Sequence, residues 1–425
     1  MNCSPAKILV EAYECAPAAE HAPGATWQIL SRLAAWFDIW VLVEQTQYQQ
    51  KIEQYMKLYP EQAESLHFAY VPLRRPNESK RKRPALPIRE ICDYWQWQED
   101  AYRCAMQLNS QQQFDLTHHL RSNTFRAPGL LWKLNRPFVW GPMGGSYCVP
   151  TAALTGLPLR HKAEYMVKNA INAFQFRFSP TVRQAVHRSA AIFAQTSADQ
   201  YNLLRTYNKN AILLHEQAAD LSHGTPHRFN GQRFLNIAWI GRCIAGKAME
   251  LLLRAAAQTR NPKMLNLHLI GDGPELPRWK ALAQKLGIAP HCSWYGWLDQ
   301  SRTNDILNSC DLLAFTSLLE GTPATVIKSL SLGVPVMCLN HCGPADVVTN
   351  TCGSLIPVGR PQDMESHMAI QLDEILVCPE RIEQWSRNAL RQAEKYTWEA
   401  AAEQIRQVYL DCLEMAPSAE TICVG

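Results

Sequence analysis

Short aliphatic and β-branched runs alternate with stretches whose apolar residues recur every three to four positions, and the alternation continues along most of the chain. In the first half, residues 7–12, 39–43, 67–73, 114–120, 137–140, 190–195 and 211–215 read as strands. Between the first two, Trp27, Leu30, Leu33, Ala34 and Phe37 fall at helical spacing and predict a helix packed on the sheet. Strands separated by helices imply a parallel sheet, because each parallel pair needs a crossover.

A polar, turn-rich stretch at 217–232, containing Ser222-His223-Gly224-Thr225-Pro226, interrupts this pattern. The pattern then restarts, with strands expected at 234–240, 265–270, 291–295, 311–315, 334–339 and 354–356. Two Rossmann-like, doubly wound α/β domains in tandem are therefore expected, at 1–216 and 233–395, joined by a linker at 217–232. A final helix and tail, 396–425, follow what should be a complete second sheet; pattern alone does not place them, and packing back on the N-terminal domain is the candidate arrangement.

Composition narrows the function classes. The 425 residues are 47% hydrophobic and 19% charged, as in a globular protein, and no stretch reaches the ~20 uninterrupted apolar residues of a membrane span. Met1-Asn2-Cys3-Ser4-Pro5 leads into a strand interrupted by Glu11, unlike a secretory leader, so a cytoplasmic location is expected. The fourteen cysteines are scattered without paired CxxC units and read as mostly reduced, buried residues. A net charge of +4 is too weak for a nucleic-acid-binding face. Lys80-Arg81-Lys82-Arg83, after Arg74 and Arg75, reads as a solvated loop or as a peripheral contact with anionic lipid at the inner membrane surface.

Ligands of open parallel sheets bind outside the carboxyl ends of the strands. After the first strand of the second half comes Gly241-Arg242-Cys243-Ile244-Ala245-Gly246-Lys247, where two cations at a helix entrance suit a diphosphate. Lys247 as an ordinary exposed residue and Gly241 as a plain turn is the alternative. Gly271-Asp272-Gly273 needs only backbone geometry. Ser317-Leu318-Leu319-Glu320-Gly321-Thr322-Pro323 places a carboxylate before a helix, either to accept hydrogen bonds from sugar hydroxyls or to cap that helix. In the first half, His118 and His119 end a strand, where adjacent side chains point opposite ways and at most one faces a ligand. Two glycine-rich turns, at Pro23-Gly24 and at Gly141-Pro142-Met143-Gly144-Gly145, would admit close backbone approach to an acceptor-side ligand.

Taken together, these motifs resemble those of the family 4 retaining glycosyltransferases of the GT-B fold, over nearly the whole chain. Gly241-Arg242 with Lys247, Gly271-Asp272-Gly273-Pro274-Glu275, Tyr295-Gly296-Trp297-Leu298, Glu320-Gly321-Thr322-Pro323 and Gly333-Val334-Pro335-Val336 stand in the family's order. The N-terminal half, through Ala12-Tyr13-Glu14-Cys15-Ala16-Pro17, Asp115-Leu116-Thr117-His118-His119 and Trp140-Gly141-Pro142-Met143-Gly144-Gly145, resembles a branch found in bacterial surface-polysaccharide clusters.

The resemblance implies two domains facing a central cleft, an acceptor-binding N-terminal one and a nucleotide-sugar-binding C-terminal one. It implies a UDP- or GDP-sugar donor as substrate, no required cofactor or metal, and a saccharide or lipid-linked acceptor. Arg242 and Lys247 would hold the diphosphate, Gly296, Trp297 and Leu298 would lie near the base, and Glu320, Gly321, Thr322 and Pro323 would meet the donor sugar. His118 would sit near the reacting carbon, and Gly24, His119, Gly144 and Gly145 would lie on the acceptor side.

One departure concerns Lys328, which stands eight positions after Glu320 where the family usually has a ribose-binding glutamate. A lysine accepts no hydrogen bond from ribose hydroxyls. Either the ribose is held otherwise, or Lys328 takes part in donor binding by meeting a phosphate, or donor binding is lost; the departure motivates a second reading, a catalytically silent partner that keeps the fold, and a nucleotide-sugar epimerase is a third by analogy of fold alone.

Overall fold

The computed structural model describes residues 5–17, 21–74, 87–120, 124–219, 224–229 and 234–415. The chain divides into two compact units, one comprising Met1–Ser146, Phe174–Gln217 and Trp398–Gly425, the other Tyr147–Ala173 and Ala218–Thr397. Residues 147–173, expected in the first domain, thus group with the second. The boundary at 173/174 falls inside the helix Leu159–Phe178.

The first unit holds β1 (Lys7–Glu11), β2 (Asp38–Glu44), β3 (Leu66–Val71), β4 (Leu116–His119), β5 (Phe138–Met143), β6 (Ser189–Ala194) and β7 (Ile212–Leu213). They form one parallel sheet in the order β3-β2-β1-β4-β5-β6-β7. Strands such as Asp-Ile-Trp-Val-Leu-Val-Glu are apolar on both faces because helices cover both sides of the sheet. The order reverses between β1 and β4, where Glu11 pairs in register with His119.

The helix Trp398–Glu414 belongs to this unit and buries Trp398, Ala401, Ala402, Ile405, Val408, Tyr409 and Cys412 on one side. Tyr409 packs edge-on to Phe37, with ring centroids 5.5 Å apart, and Arg32 bonds Glu399 at 2.6 Å. Ala22, Pro23 and Gly24, expected as a turn, lie in the first turns of the helix His21–Leu33. Proline is tolerated there because the first amides of a helix lack intrahelical acceptors.

The second unit holds β8 (Leu235–Ile240), β9 (Leu265–Ile270), β10 (Cys292–Gly296), β11 (Leu312–Phe315), β12 (Val336–Leu339) and β13 (Gly353–Ile356), parallel in the order β10-β9-β8-β11-β12-β13. The helix Met249–Gln258 buries Met249, Leu251, Leu252 and Leu253 against the sheet. Trp239 meets Trp279 edge-on, at 5.7 Å between centroids. Here the order reverses between β8 and β11. Seven of the described cysteines are buried.

Candidate functional site

The two strands at the reversal of the second sheet deliver the charged loops. After β8 the chain runs through Gly241 and Arg242 into a single 3-10 turn, Ala245–Lys247, and Ala248 adopts φ 44° before the helix Met249–Gln258 begins. Lys247 therefore stands in front of the helix rather than on it. After β11 the chain passes Thr316 and Ser317 to Glu320, then enters the helix Ala324–Ser331 behind Pro323, with no side chain capping its first amides.

Backbone and side-chain bonds lock these loops together. Leu318 N–H donates to the Gly246 carbonyl at 2.9 Å, and Thr316 Oγ1 donates to the Lys247 carbonyl at 2.7 Å while accepting the Trp239 indole N–H at 2.9 Å. Lys247 Nζ ion-pairs with Glu320 Oε2 and lies 5.4 Å from the centre of the Phe315 ring. Ser317 Oγ is 3.4 Å from the same carboxylate oxygen. The paired side chains keep 21% and 23% of their surface, so the pair remains open to an incoming ligand. Arg242 is exposed and makes no ion pair with the described residues.

Glycines back this constellation where a side chain has no room. Gly271, at φ 138°, would place a Cβ 1.8 Å from the Gly241 carbonyl oxygen, and a Cβ on Gly343 would lie 1.7 Å from the Gly321 oxygen. The Gly271–Gly273 turn thus buttresses the Gly241–Arg242 loop, with Cys243 N–H donating to the Asp272 carbonyl at 2.8 Å. Gly343 N–H donates to the Glu320 carbonyl at 3.1 Å and fixes the second loop.

Gly296 and Trp297 lie at the end of the edge strand β10, two strands away from β8; Trp297 is 70% exposed and Leu298 half-buried. Thr322 and Pro323 complete the turn before the helix. Lys328, inside that helix, is half-buried and forms no ion pair with the described residues.

In the first unit the two histidines part company. His118 is buried, its Nδ1 2.6 Å from the Tyr409 hydroxyl and its Nε2 2.8 Å from the Gly141 carbonyl oxygen. A carbonyl only accepts, so Nε2 carries the proton and Nδ1 accepts from the phenol. Burial pushes the His118 pKa down to about 3, keeping the ring neutral. Although expected near the reacting carbon, His118 has no ring nitrogen left for a substrate; it ties β4 and β5 to the C-terminal helix.

His119 points the other way, to Glu11 at 3.3 Å across the β1/β4 reversal. Both are buried, and among the described residues neither the Glu11 carboxylate oxygens nor the His119 ring nitrogens have a hydrogen-bond partner. Gly129 sits against both, since a Cβ there would come within 2.5 Å of each. Glu11, which interrupts the apolar run of β1, is not singled out by sequence; its one signal is a charged residue closing that run.

Gly144 is packed on the Gln195 side chain and accepts the Phe125 N–H at 2.9 Å, and Gly145 adopts φ 83°. Gly24 is buried in its helix. Arg121, Ser122 and Asn123, and the basic run Lys80 to Arg83, lie outside the described residues. Among the described residues no helix is long and apolar enough to cross a membrane.

Comparison with known proteins bears on both units. The family model described as glycosyl transferases group 1 matches residues 230–392. Over 280 residues the chain is 29% identical to the D-inositol 3-phosphate glycosyltransferase of Rhodococcus jostii (strain RHA1), a match covering 60% of this chain and 61% of that one. The chain spans between 61% and 66% of the length of three such curated relatives. Among solved structures, the lipopolysaccharide outer core galactosyltransferase WaaB in its apo form matches with TM-score 0.62 and 13% identity, over 95% of this chain and 99% of that one. Anabaena HepE in complex with UDP and glucose matches with TM-score 0.58 and 16% identity, over 96% and 100%. These structural likenesses are of fold: the chain has the GT-B architecture of two Rossmann-like parallel-sheet domains.

Proposed function

We propose that this chain, whose residues 230–392 belong to the group 1 glycosyl transferases, is a retaining glycosyltransferase of the cytoplasm that moves a hexose from a nucleoside diphosphate to a saccharide or lipid-linked acceptor in glycoconjugate assembly. The observation that carries the reading is the Lys247–Glu320 pair, set across the β8/β11 reversal on the same loop as the exposed Arg242, which makes no ion pair with the described residues.

Breaking the bond between the anomeric carbon and the phosphate leaves negative charge on the departing diphosphate. Arg242 and Lys247 are placed to stabilise that charge, and a preorganised cation in a part-buried site acts more strongly than one in water. When the donor enters, Lys247 exchanges its carboxylate partner for phosphate, and Glu320 is freed to accept a hydrogen bond from a sugar hydroxyl. The start of the helix Ala324–Ser331, which no side chain caps, would add its dipole to the binding of the same anion. HepE binds UDP and glucose, which makes a UDP-hexose the first donor to try. On the first unit, His119 and Glu11 are among the buried groups with unmet hydrogen-bonding capacity, they face each other across the strand reversal, and they are assigned to the acceptor side.

A thermal-shift screen against UDP, GDP and their common sugars tests the donor site, since a ligand that binds the folded state alone raises its melting temperature. A nucleotide-specific shift is expected, lost in Arg242→Ala and Lys247→Ala, with turnover reduced roughly 10²–10³-fold in each. Undiminished donor turnover in both variants sinks the clamp. Donor binding without turnover across a broad acceptor panel would instead make the chain a silent partner, with Lys328 as the first residue to revert to glutamate.

A further inference from the structure

A cavity of about 250 Å³ borders the loops that carry Lys247 and Glu320, and every residue lining it belongs to the second unit. Ala248, directly after Lys247, and Leu318, two residues before Glu320, form part of its wall. Leu157, Leu251 and Pro361 give it an apolar side. Glu250, in the first turn of the helix Met249–Gln258, and Glu365, on the helix Pro361–Val377, bring two carboxylates to the same space. The volume lies just below that of pockets for drug-sized molecules, so it suits a smaller ligand.

Hydrogen-bond acceptors go unmet on this wall. Glu250 Oε1 accepts from Arg278 at 2.9 Å, but its Oε2 is buried and has no partner among the described residues. Glu365 keeps just 9% of its side-chain surface, yet its contacts are Gln258 Nε2 at 3.4 Å and Arg254 at 3.8 Å, both long for bonds to a carboxylate. Burial pushes the Glu365 carboxyl up, and the Glu250 charge adds to the effect. Arg278 is already spent on Glu250 and on Glu275, the latter at 2.5 Å, and Arg254 keeps 45% of its surface for water. Three carboxylates thus meet two guanidiniums, and one negative charge is in excess while His161, 3.7 Å from Glu275, is neutral. A buried acceptor without a partner calls for a donor, and the excess charge calls for a cation. An anion would meet the carboxylates first.

We propose that this cavity binds a small organic ammonium ion, its N–H groups bonding Glu250 Oε2 and Glu365 and its carbon body lying on Leu157, Leu251 and Pro361. The occupant also touches Ala248 and Leu318, and Leu318 N–H already holds the Gly246 carbonyl at 2.9 Å. A filled cavity therefore holds both loops in place and strengthens nucleotide binding, and the nucleotide strengthens amine binding by the same factor. The amine site goes beyond the transferase reading, whereas its coupling to the nucleotide rests on that reading.

Titration calorimetry of the full chain with methylamine, putrescine and glucosamine, and with glucose as the neutral control, is the test. Binding of at least one amine is expected, with none of glucose, and Glu250→Gln and Glu365→Gln are each expected to weaken it about tenfold. The melting temperature of each variant shows that it is folded; should Glu250→Gln unfold on releasing Arg278, Glu365→Gln carries the test. No binding of any amine, equal binding of glucose, or undiminished binding by the folded variants overturns the proposal. Repeating the titration with UDP is expected to show each ligand tightening the other about fivefold. An amine that binds as expected while UDP does not bind at all leaves the cavity site standing and counts against the transferase reading. UDP binding that the bound amine leaves unchanged overturns the coupling.

Discussion

Tyr409→Phe separates a structural His118 from a catalytic one. The substitution keeps the ring that packs edge-on against Phe37 and against the His118 imidazole at 5.6 Å, and removes just the hydroxyl that His118 Nδ1 accepts from at 2.6 Å. What remains is a fully buried ring nitrogen without a donor, and an orphaned buried acceptor costs about 1–3 kcal/mol. For a unit of this size each kcal/mol lowers the melting temperature by roughly 2–4 °C. Calorimetry should therefore show the first unit's transition shifted down by several degrees, with the second unit's transition in place. Below that transition kcat should stay within about twofold of the parent, since no reacting group has been touched. An unchanged melting profile together with a kcat loss of about 100-fold would refute the reasoning and return His118 to the chemistry.

Two further outcomes follow from the same physics. Gly271→Ala forces a Cβ onto the Gly241 carbonyl oxygen at 1.8 Å and onto a backbone at φ 138°, where strain alone costs about 1–3 kcal/mol; a lowered melting temperature and weakened nucleotide binding are expected by thermal shift, whereas Gly287→Ala, with nothing within 4 Å, should leave nucleotide affinity intact. Acid should destabilise the first unit: His118 and His215 are held neutral by burial, with pKa values pushed down to about 3 and about 4 from 6.5. The unfolded chain takes up these protons first, so stability is full above about pH 6.5 and falls toward pH 4 by up to ~1.4 kcal/mol per pH unit for each histidine. Urea unfolding at pH 7 and pH 5 measures the difference, and stability that rises on acidification would contradict the assignment.

The strands were legible because parallel sheets are covered on both faces, which leaves aliphatic runs that stand out between amphipathic helices. What a polar residue at the end of such a run does was not legible. β1 ends in Glu11 and β2 in Glu44, alike in sequence and both buried. Glu44 accepts the backbone amides of Thr46 and Gln47, at 2.7 and 2.8 Å, and caps the next helix. Glu11 makes no such bond, because its neighbour across the sheet is His119, a residue 108 positions away that no local pattern connects to it. The helix Leu159–Phe178 poses the same difficulty: its spacing identifies an amphipathic helix, but two asparagines facing inward are intelligible just when the carbonyls of Tyr147 and Val149 are found beside them.

The order of the strands explains why the candidate chemistry gathers where it does. At a reversal of winding, the loops from the two central strands diverge to opposite faces of the sheet and leave a crevice at their carboxyl ends. In the second unit that crevice receives Lys247 from β8 and Glu320 from β11; in the first it receives Glu11 from β1 and His119 from β4. Each unit therefore sets a carboxylate against a nitrogen-bearing side chain across its own reversal, but in different surroundings. The Lys247–Glu320 pair is hydrogen-bonded and part-exposed, ready to trade partners with a charged ligand, whereas the Glu11–His119 pair is sealed and unsatisfied. Buried polar atoms left without hydrogen bonds cost stability rather than adding to it. Glu11→Gln/His119→Gln, whose two amides can bond each other, should thus leave the first unit as stable as the parent or more so, while acceptor turnover falls. A loss of stability with turnover intact would make the pair a structural element and remove it from the acceptor side.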